Sequence, residues 1–121
     1  MKAICHCKSC RKLSGGTNTL CCLVPLQSFQ YESGSPVKSA MVTHEEGNFE
    51  LTVNFCSDCG TSCHKEAELF DGVAIIFAGT LDDGEALLKS PPNAELWVKD
   101  KLPWLGDVKG AKLCQEFDSD L

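Results

Sequence analysis

The residues with the clearest chemical potential lie in "CHCKSC", positions 5–10, where three cysteines and a histidine fall within six residues. Zinc is held by thiolates that converge on one point, and closely spaced cysteines converge around a tight turn. Cys5, Cys7 and Cys10 could therefore supply three thiolates from one loop. Because three protein ligands with an open fourth position are typical of catalytic zinc, the spacing favours an open metal site.

A second cysteine pair, Cys56 and Cys59, lies in "CSDCG", where the following glycine can adopt a positive φ as the chain leaves the turn. One alternative is a closed structural zinc site that joins this pair to Cys7 and Cys10. Spacing alone leaves that alternative open beside the catalytic one. A thioredoxin-like redox pair is disfavoured, because such a pair opens a helix and neither turn precedes a helical pattern.

The other candidate ligands have less favourable positions. His6 lies between two ligands, so we expect it to point away from the metal. Cys63 and His64 follow the second pair, but neighbours on a strand face opposite sides, so only one of them could complete that site. Three cysteines in apolar or mixed stretches are expected to pack as small hydrophobes: Cys21, Cys22 and Cys114.

Composition narrows the class of protein. The chain has 121 residues, a length that suits one domain over residues 1–121, and no apolar run long enough to span a bilayer. A net charge of −6 opposes nucleic-acid binding. The N-terminus lacks the apolar stretch of a signal peptide, so we expect a cytoplasmic protein with reduced thiols. The count of nine cysteines is odd, which also disfavours a closed set of disulfides.

The apolar pattern predicts a mainly β fold with several short strands and no long amphipathic helix. The clearest alternation is "FELTVNF", and "VAIIFAGT" is apolar on both faces, as in a central strand. Predicted strands span residues 17–25, 28–36, 49–55, 73–80 and 95–98. Asp82 and Asp83 resemble an acid/base pair, but a turn after a strand is the favoured interpretation.

Five motifs in order resemble one known family. They read "CHCKSCRKLSG", "LVP", "FCSDCGT", "GTLDD" and "PW". By these motifs, the sequence is identified as a member of the glutathione-dependent formaldehyde-activating enzyme family, which also includes centromere protein V. The resemblance covers most of the chain and is far more specific than either cysteine motif alone.

The resemblance implies a β-tent of several small antiparallel sheets and two zinc sites. Cys5, Cys7 and Cys10 would be the catalytic residues and the ligands of a catalytic zinc ion. Cys56 and Cys59 would be half of a structural zinc site. The family places the other half, a C-x-C strand, upstream of the first motif, and only four residues precede it here. We therefore expect a domain that is short at its N-terminus and a structural zinc site that lacks half of its ligands.

The resemblance also implies a carbon–sulfur lyase that adds a small thiol such as glutathione to formaldehyde or a related aldehyde. Lys8, Arg11 and Lys12 would attract the carboxylates of glutathione, with Arg11 and Lys12 as the binding residues. A solvated charge cluster is the equal alternative for these three cations. The competing function is a non-catalytic zinc module that serves structure or protein interaction.

Overall fold

The computed structural model describes residues 1–82 and 84–118. Eight strands lie in this part of the chain: β1 Lys2–Cys5, β2 Thr19–Pro25, β3 Val37–His44, β4 Phe49–Cys56, β5 Ser62–Ala67, β6 Val73–Phe77, β7 Ala94–Leu96 and β8 Lys112–Leu113. Two α-helices accompany them, α1 Lys8–Ser14 and α2 Gly84–Lys89. The mainly β fold is confirmed.

The strands join one sheet in the order β3-β4-β5-β6-β2-β1-β7-β8. β1 pairs in parallel with β7, and β7 with β8, whereas the other neighbours are antiparallel. The sheet is therefore single and mixed, where the resemblance implied several small antiparallel sheets. Parallel pairing is available to β7 because the long segment between β1 and β7 can carry the chain back to the same end of the sheet.

The strands predicted from the clearest patterns lie in the sheet interior. β6 is flanked by β5 and β2, and its Ala74, Ile75 and Ile76 are all buried, as expected for a central strand. In β4, Leu51 and Val53 are buried on one face. The apolar patterns of β4 and β6 therefore indicate which side chains are buried in the middle of the sheet.

The sequence analysis was wrong about residues 28–36. They do not form a strand; only a short 3-10 turn, Leu26–Ser28, lies at the start of the segment. Conversely, β3 and β5 were not predicted, because "VKSAMVTH" and "SCHKEA" lack an apolar alternation. Their partners β4 and β6 hold them in the sheet by backbone hydrogen bonds, which depend little on side-chain type.

Helix α1 corrects a further expectation. The prediction that no helix follows the first cysteine turn is wrong, because α1 begins at Lys8, directly after Cys7. The Cys7 sulfur caps the helix by accepting from the Cys10 amide, and Gly15 ends it in the left-handed region at φ 66°. The helix therefore begins at a cysteine side chain, which is not a usual capping group. Its seven residues are also too few to show the apolar period of a helix.

The sheet curves so that its distant parts meet. The His44 ring, at the end of edge strand β3, lies 5.2 Å from the Trp97 ring and 5.5 Å from the Phe117 ring, which follow β7 and β8. The end of β3 is thereby held against the residues that follow β7 and β8. No helix in residues 1–82 and 84–118 has the length and apolarity needed to cross a membrane. Asp83, half of the suggested acid/base pair, lies outside the described residues.

Candidate metal centre

The loop that carries the first three cysteines is positioned by β1 and α1. Cys5 is the last residue of β1, in register with Thr19 of β2 and Leu96 of β7. The next residue continues the contact with β7, since the His6 amide donates to the Leu96 carbonyl at 2.9 Å. The chain then turns into α1 at Cys7. The cysteine loop is therefore fixed on both sides by strands.

The three sulfur atoms come together in the interior. Those of Cys5, Cys7 and Cys10 all lie within 4.8 Å of one another, and the residues are 8%, 0% and 2% exposed. Tetrahedral zinc with Zn–S bonds of about 2.3 Å places its sulfurs about 3.8 Å apart, so the cluster needs little movement to surround an ion. Soft thiolates are donors that zinc prefers. The cluster can therefore hold a metal ion.

Hydrogen bonds among the three thiols shift their pKa values in opposite directions. Bonds from the Cys5 and Cys7 thiols lower the pKa of Cys10 far below its ordinary value, against the opposing effect of burial. The bond to Cys10 raises the pKa of Cys7 to about 12, and the pKa of Cys5 is raised further by bonds to Cys10 and Cys7 and by burial. Of the three thiols, that of Cys10 therefore ionises most readily.

A buried lysine balances this charge. Lys65 of β5 is 5% exposed, and its Nζ donates to the Cys10 sulfur at 3.3 Å. Burial alone lowers the pKa of Lys65, but the charges of Cys10, Cys21 and Cys5 outweigh it and the net shift is upward. A buried cation is tolerated when it is paired in this way. Lys65 is therefore a built-in counter-ion of the cluster.

His6 points away from the cysteine cluster, as its position predicted, and it is buried. Its Nε2 lies 2.8 Å from Oε1 of Glu95, which is 1% exposed. The same carboxylate accepts from Lys101 Nζ at 2.8 Å and from the Val108 amide at 2.8 Å. Burial raises the pKa of Glu95, but the bonds from Lys101, Val108 and His6 outweigh it and lower the pKa. An anionic Glu95 therefore anchors the loop between Cys5 and Cys7.

A second group of donors adjoins the cysteine cluster. His44, at the end of β3, and Glu46, in the β3–β4 turn, have ligand atoms within 4.8 Å of each other and of the Cys7 sulfur. His44 is 2% exposed and stacks on Phe49 with ring centroids 4.6 Å apart. His44 Nε2 and Glu46 Oε1 are buried, and neither has a hydrogen-bond partner among the described residues. His44 and Glu46, which both lie beside Cys7, therefore each have one buried polar atom without a partner in this part of the chain.

Two basic residues of α1, Lys8 and Lys12, border an open groove. The groove has a volume of about 410 Å³ and lies between α1 and the end of β3, with Lys8, Ser9 and Lys12 on one side and Val42 and Thr43 on the other. Lys12 is exposed and Arg11 is half-buried. The Arg11 Nε is buried without a hydrogen-bond partner in the described part of the chain. A volume of several hundred Å³ is typical of sites for small organic ligands.

The Cys56–Cys59 turn lies elsewhere. Cys56 ends β4 opposite Val37, whereas His44, near Cys7, pairs with Phe49 at the start of β4. Seven residue steps at about 3.3 Å place these two ends roughly 23 Å apart. The structure thus does not join the two cysteine pairs in one closed site. Within residues 1–82 and 84–118 no third ligand groups with Cys56 and Cys59, so their metal role stays a prediction.

The two residues suggested as additions to that turn have other contacts. The His64 ring bonds Tyr31 Oη at 2.5 Å through Nδ1, and its Nε2 lies 3.0 Å from Glu66 Oε1. Both ring nitrogens are therefore already used. The Cys63 thiol donates to the Thr61 carbonyl at 3.4 Å. Cys21 and Cys114 are buried and Cys22 is half-buried, in keeping with a packing role.

The helix after Cys7 bears on the redox hypothesis. A C-x-x-C pair at the start of a helix is the arrangement of dithiol oxidoreductases, so the reason for disfavouring a redox pair no longer holds. The third thiol favours a metal site over a redox pair, because Cys5 lies within 4.8 Å of Cys7 and Cys10, close enough for a third metal ligand. No disulfide joins the nine cysteines, all of which lie within the described residues.

Three residues of the site were missed by the sequence analysis: Lys65, His44 and Glu46. Lys65 lies in β5 and His44 in β3, strands that the apolar pattern did not predict, and Glu46 lies in the turn after β3. Each reaches the cysteines through the curvature of the sheet. No spacing along the chain could have indicated this.

Comparisons with known proteins agree with the motifs. A family model described as "Glutathione-dependent formaldehyde-activating enzyme" matches residues 1–100. A search of curated proteins found no match.

Proposed function

Because the chain belongs to the glutathione-dependent formaldehyde-activating enzyme family, we propose that it joins a small thiol such as glutathione to formaldehyde or a related aldehyde. The reaction would be that of an S-(hydroxymethyl)glutathione synthase, a carbon–sulfur lyase in the reverse direction. The observation that carries the proposal is the buried cluster of Cys5, Cys7 and Cys10 with the counter-ion Lys65.

The three cysteines fit zinc by their number, softness and mutual distance. Bound there, zinc would supply a positive charge that favours the thiolate form of an incoming thiol. Lys65 would remain beside Cys10 and offset the excess negative charge of three thiolates and one divalent cation. The anchored loop would keep the ligands in place, since Glu95 holds His6 between two of them.

The thiol substrate would approach through the groove beside α1. Lys12 is exposed there and can attract a carboxylate of glutathione, and Arg11, which lines a neighbouring hollow with Lys8 and Lys12, would attract the other. The addition itself moves few atoms. The thiol sulfur forms a bond to the carbonyl carbon, the carbonyl π pair moves to oxygen, and that oxygen takes the proton that the thiol lost. The chain therefore contributes mainly positioning and thiolate activation.

We further propose that residues 1–121 act as one domain and that Cys56 and Cys59 belong to a separate, structural metal site. The turn between them has the tight form that such ligands use, with the Gly60 amide donating to the Cys56 carbonyl at 2.9 Å. The cytoplasm is the proposed location, because a cluster of free thiols needs a reducing compartment to stay available for metal.

The test is exchange NMR on ¹³C-formaldehyde and glutathione at equilibrium, with and without the zinc-loaded protein. We expect faster interconversion of free formaldehyde and adduct, and loss of the acceleration in Cys10→Ser. The matched control is Cys22→Ser, which changes a half-buried cysteine in β2 away from the cluster and should keep the full rate. Equal exchange with and without the wild-type protein, for glutathione and for smaller thiols, would refute the catalytic function.

A further inference from the structure

The tautomer of His44 can be read from its contacts. The Gly47 amide donates to His44 Nδ1 at 2.8 Å, so Nδ1 carries no proton. The neutral imidazole therefore bears its proton on Nε2. A proton on Nε2 makes that atom a donor and prevents it from binding a metal ion. The buried Nε2 is thus an N–H donor without an acceptor among residues 1–82 and 84–118.

Glu46 offers the complementary group. Its Oε2 accepts from the Lys8 amide at 3.1 Å, which fixes the carboxylate against the first residue of α1. Its Oε1 is buried and lacks a donor within the described part of the chain. A buried carboxylate oxygen without a partner carries a large desolvation cost, so the site is built for a group that donates to it.

We propose that His44 and Glu46 form a hydroxyl-binding site beside Cys7 that receives the hydroxyl group of the hydroxymethyl product. A hydroxyl group can accept one hydrogen bond and donate another. It would accept from His44 Nε2 and donate to Glu46 Oε1. A ring nitrogen of His44 and a carboxylate oxygen of Glu46 lie within 4.8 Å of each other and of the Cys7 sulfur. The inference rests on the proposed function, since that reaction creates a hydroxyl next to a sulfur.

The site also accounts for the direction of electron flow. As sulfur bonds to the carbonyl carbon, negative charge develops on oxygen, and the Nε2–H of His44 stabilises it. A neutral imidazole can act as such an electrophile. Once that oxygen has taken the thiol's proton, the new O–H donates to Glu46. No group beyond thiol and aldehyde is required for the balance.

His44 is held rigidly in this role. A Cβ added at Gly47 would lie 2.9 Å from His44 Nδ1 and 2.6 Å from Phe49 Cε1, so the turn fits tightly around the ring. The ring also contacts Trp97 at 5.2 Å between centroids. Donors that are fixed in advance stabilise developing charge most effectively.

The first experiment reads the tautomer without reference to activity. Long-range ¹H–¹⁵N NMR on the full chain, with and without zinc, would assign the His44 ring by its loss in His44→Phe. We expect the Nε2–H tautomer in both states. An Nε2 without a proton in the zinc-loaded protein, or a second zinc ion lost on His44→Phe, would make His44 a metal ligand and overturn the proposal.

The second experiment separates binding from reaction by kinetics of adduct formation. His44→Phe keeps the stacking ring and removes the donor, so kcat should fall about a hundredfold while KM for glutathione stays the same. His44→Gln restores an N–H near the Nε2 position and should recover part of the loss. Glu46→Gln, which keeps the shape of the side chain, should lower kcat at least tenfold and serves if His44→Phe fails to fold. The control is Glu50→Gln, an exposed residue of β4.

The outcomes separate this proposal from the one on which it rests. No acceleration by the wild-type protein would refute both. A wild-type protein that accelerates the reaction, with His44→Phe and Glu46→Gln equally fast, would refute the hydroxyl-binding site alone. A loss of kcat with unchanged KM and zinc content, partly restored in His44→Gln, would support it.

Discussion

Lys65 Nζ lies 3.3 Å from the Cys10 sulfur, although 55 residues separate them in sequence. Strands β6 and β2 lie between β5, which carries Lys65, and β1, which leads into the cysteine loop. The side chain therefore crosses one face of the sheet to reach the cluster. Its Nζ also lies 5.5 Å from the centre of the Phe77 ring. The cation is thus part of the metal centre, with a place fixed by packing.

The first prediction concerns this cation. Three thiolates and one divalent cation carry a net charge of −1, and Lys65 offsets it in the interior. Lys65→Met removes the offset with little change in volume, so we expect zinc affinity to fall roughly tenfold to a hundredfold, as for other groups that support metal ligands. Competition with a chromogenic chelator would measure it. Lys38→Met, an exposed change in β3, is the control, and equal affinity in both variants would contradict the role of Lys65.

The second prediction concerns the buried carboxylate that anchors His6. Glu95→Gln leaves the Lys101 ammonium, 9% exposed, with Asp107 as its remaining carboxylate. Removing one partner of a buried ion pair is costly, so we expect the free energy of unfolding to fall by about 3 kcal/mol at neutral pH. Urea unfolding would measure the change. The control is Glu116→Gln, which breaks an exposed pair with Lys99 and should cost less than about 1 kcal/mol.

The loss of stability expected in Glu95→Gln should also depend on pH. The pKa of Glu95 is lower in the folded protein than its ordinary value of 4.5. A carboxyl with a lowered pKa contributes stability above its unfolded pKa, and this contribution is lost as pH falls through the folded pKa. The difference between the wild-type protein and Glu95→Gln should therefore be full at pH 6–7 and shrink below about pH 4. A difference that grows with acidity would contradict an anionic Glu95.

The sequence predicted those parts of the fold and site that depend on neighbours along the chain. The alternation in β4, the apolar run in β6 and the cysteines at positions 5, 7 and 10 all read correctly from local spacing. The edge strand β3 and the counter-ion Lys65 could not be read in this way. Their positions depend on backbone pairing and on the curvature of the sheet, which leave no period in the sequence.

Helix α1 could not be predicted from the sequence either, although it is a short local element. Its seven residues contain a single large apolar side chain, Leu13, so no helical pattern is visible. What begins the helix is a cap from the Cys7 sulfur, a residue type outside the usual capping set. The family motif identified the cysteines, but neither the motif nor the propensities indicated the helix that brings Cys10 back to Cys7.

The third prediction separates the two cysteine motifs by metal content. Cys56 and Cys59 lie far along β4 from the cluster, and no further donor in the described residues groups with them. Cys56→Ser with Cys59→Ser should therefore leave the zinc of the cluster in place, whereas Cys10→Ser should remove it. Mass spectrometry under native conditions would count the ions. Loss of all zinc from the double variant would mean that the two motifs share one ion.

The fourth prediction concerns the turn that holds His44. Gly47→Ala places a methyl group against the Phe49 and His44 rings, at 2.6 Å and 2.9 Å from their nearest atoms. We expect a loss of about 1–3 kcal/mol in the free energy of unfolding, because the methyl group would overpack the contact between the turn and the two rings. Gly106→Ala is the matched change, because nothing lies within 4 Å of its added Cβ. It should be neutral or stabilising by up to about 1 kcal/mol, since alanine restricts the unfolded chain. Equal effects at the two glycines, measured by urea unfolding, would show that the turn does not pack tightly around the His44 ring.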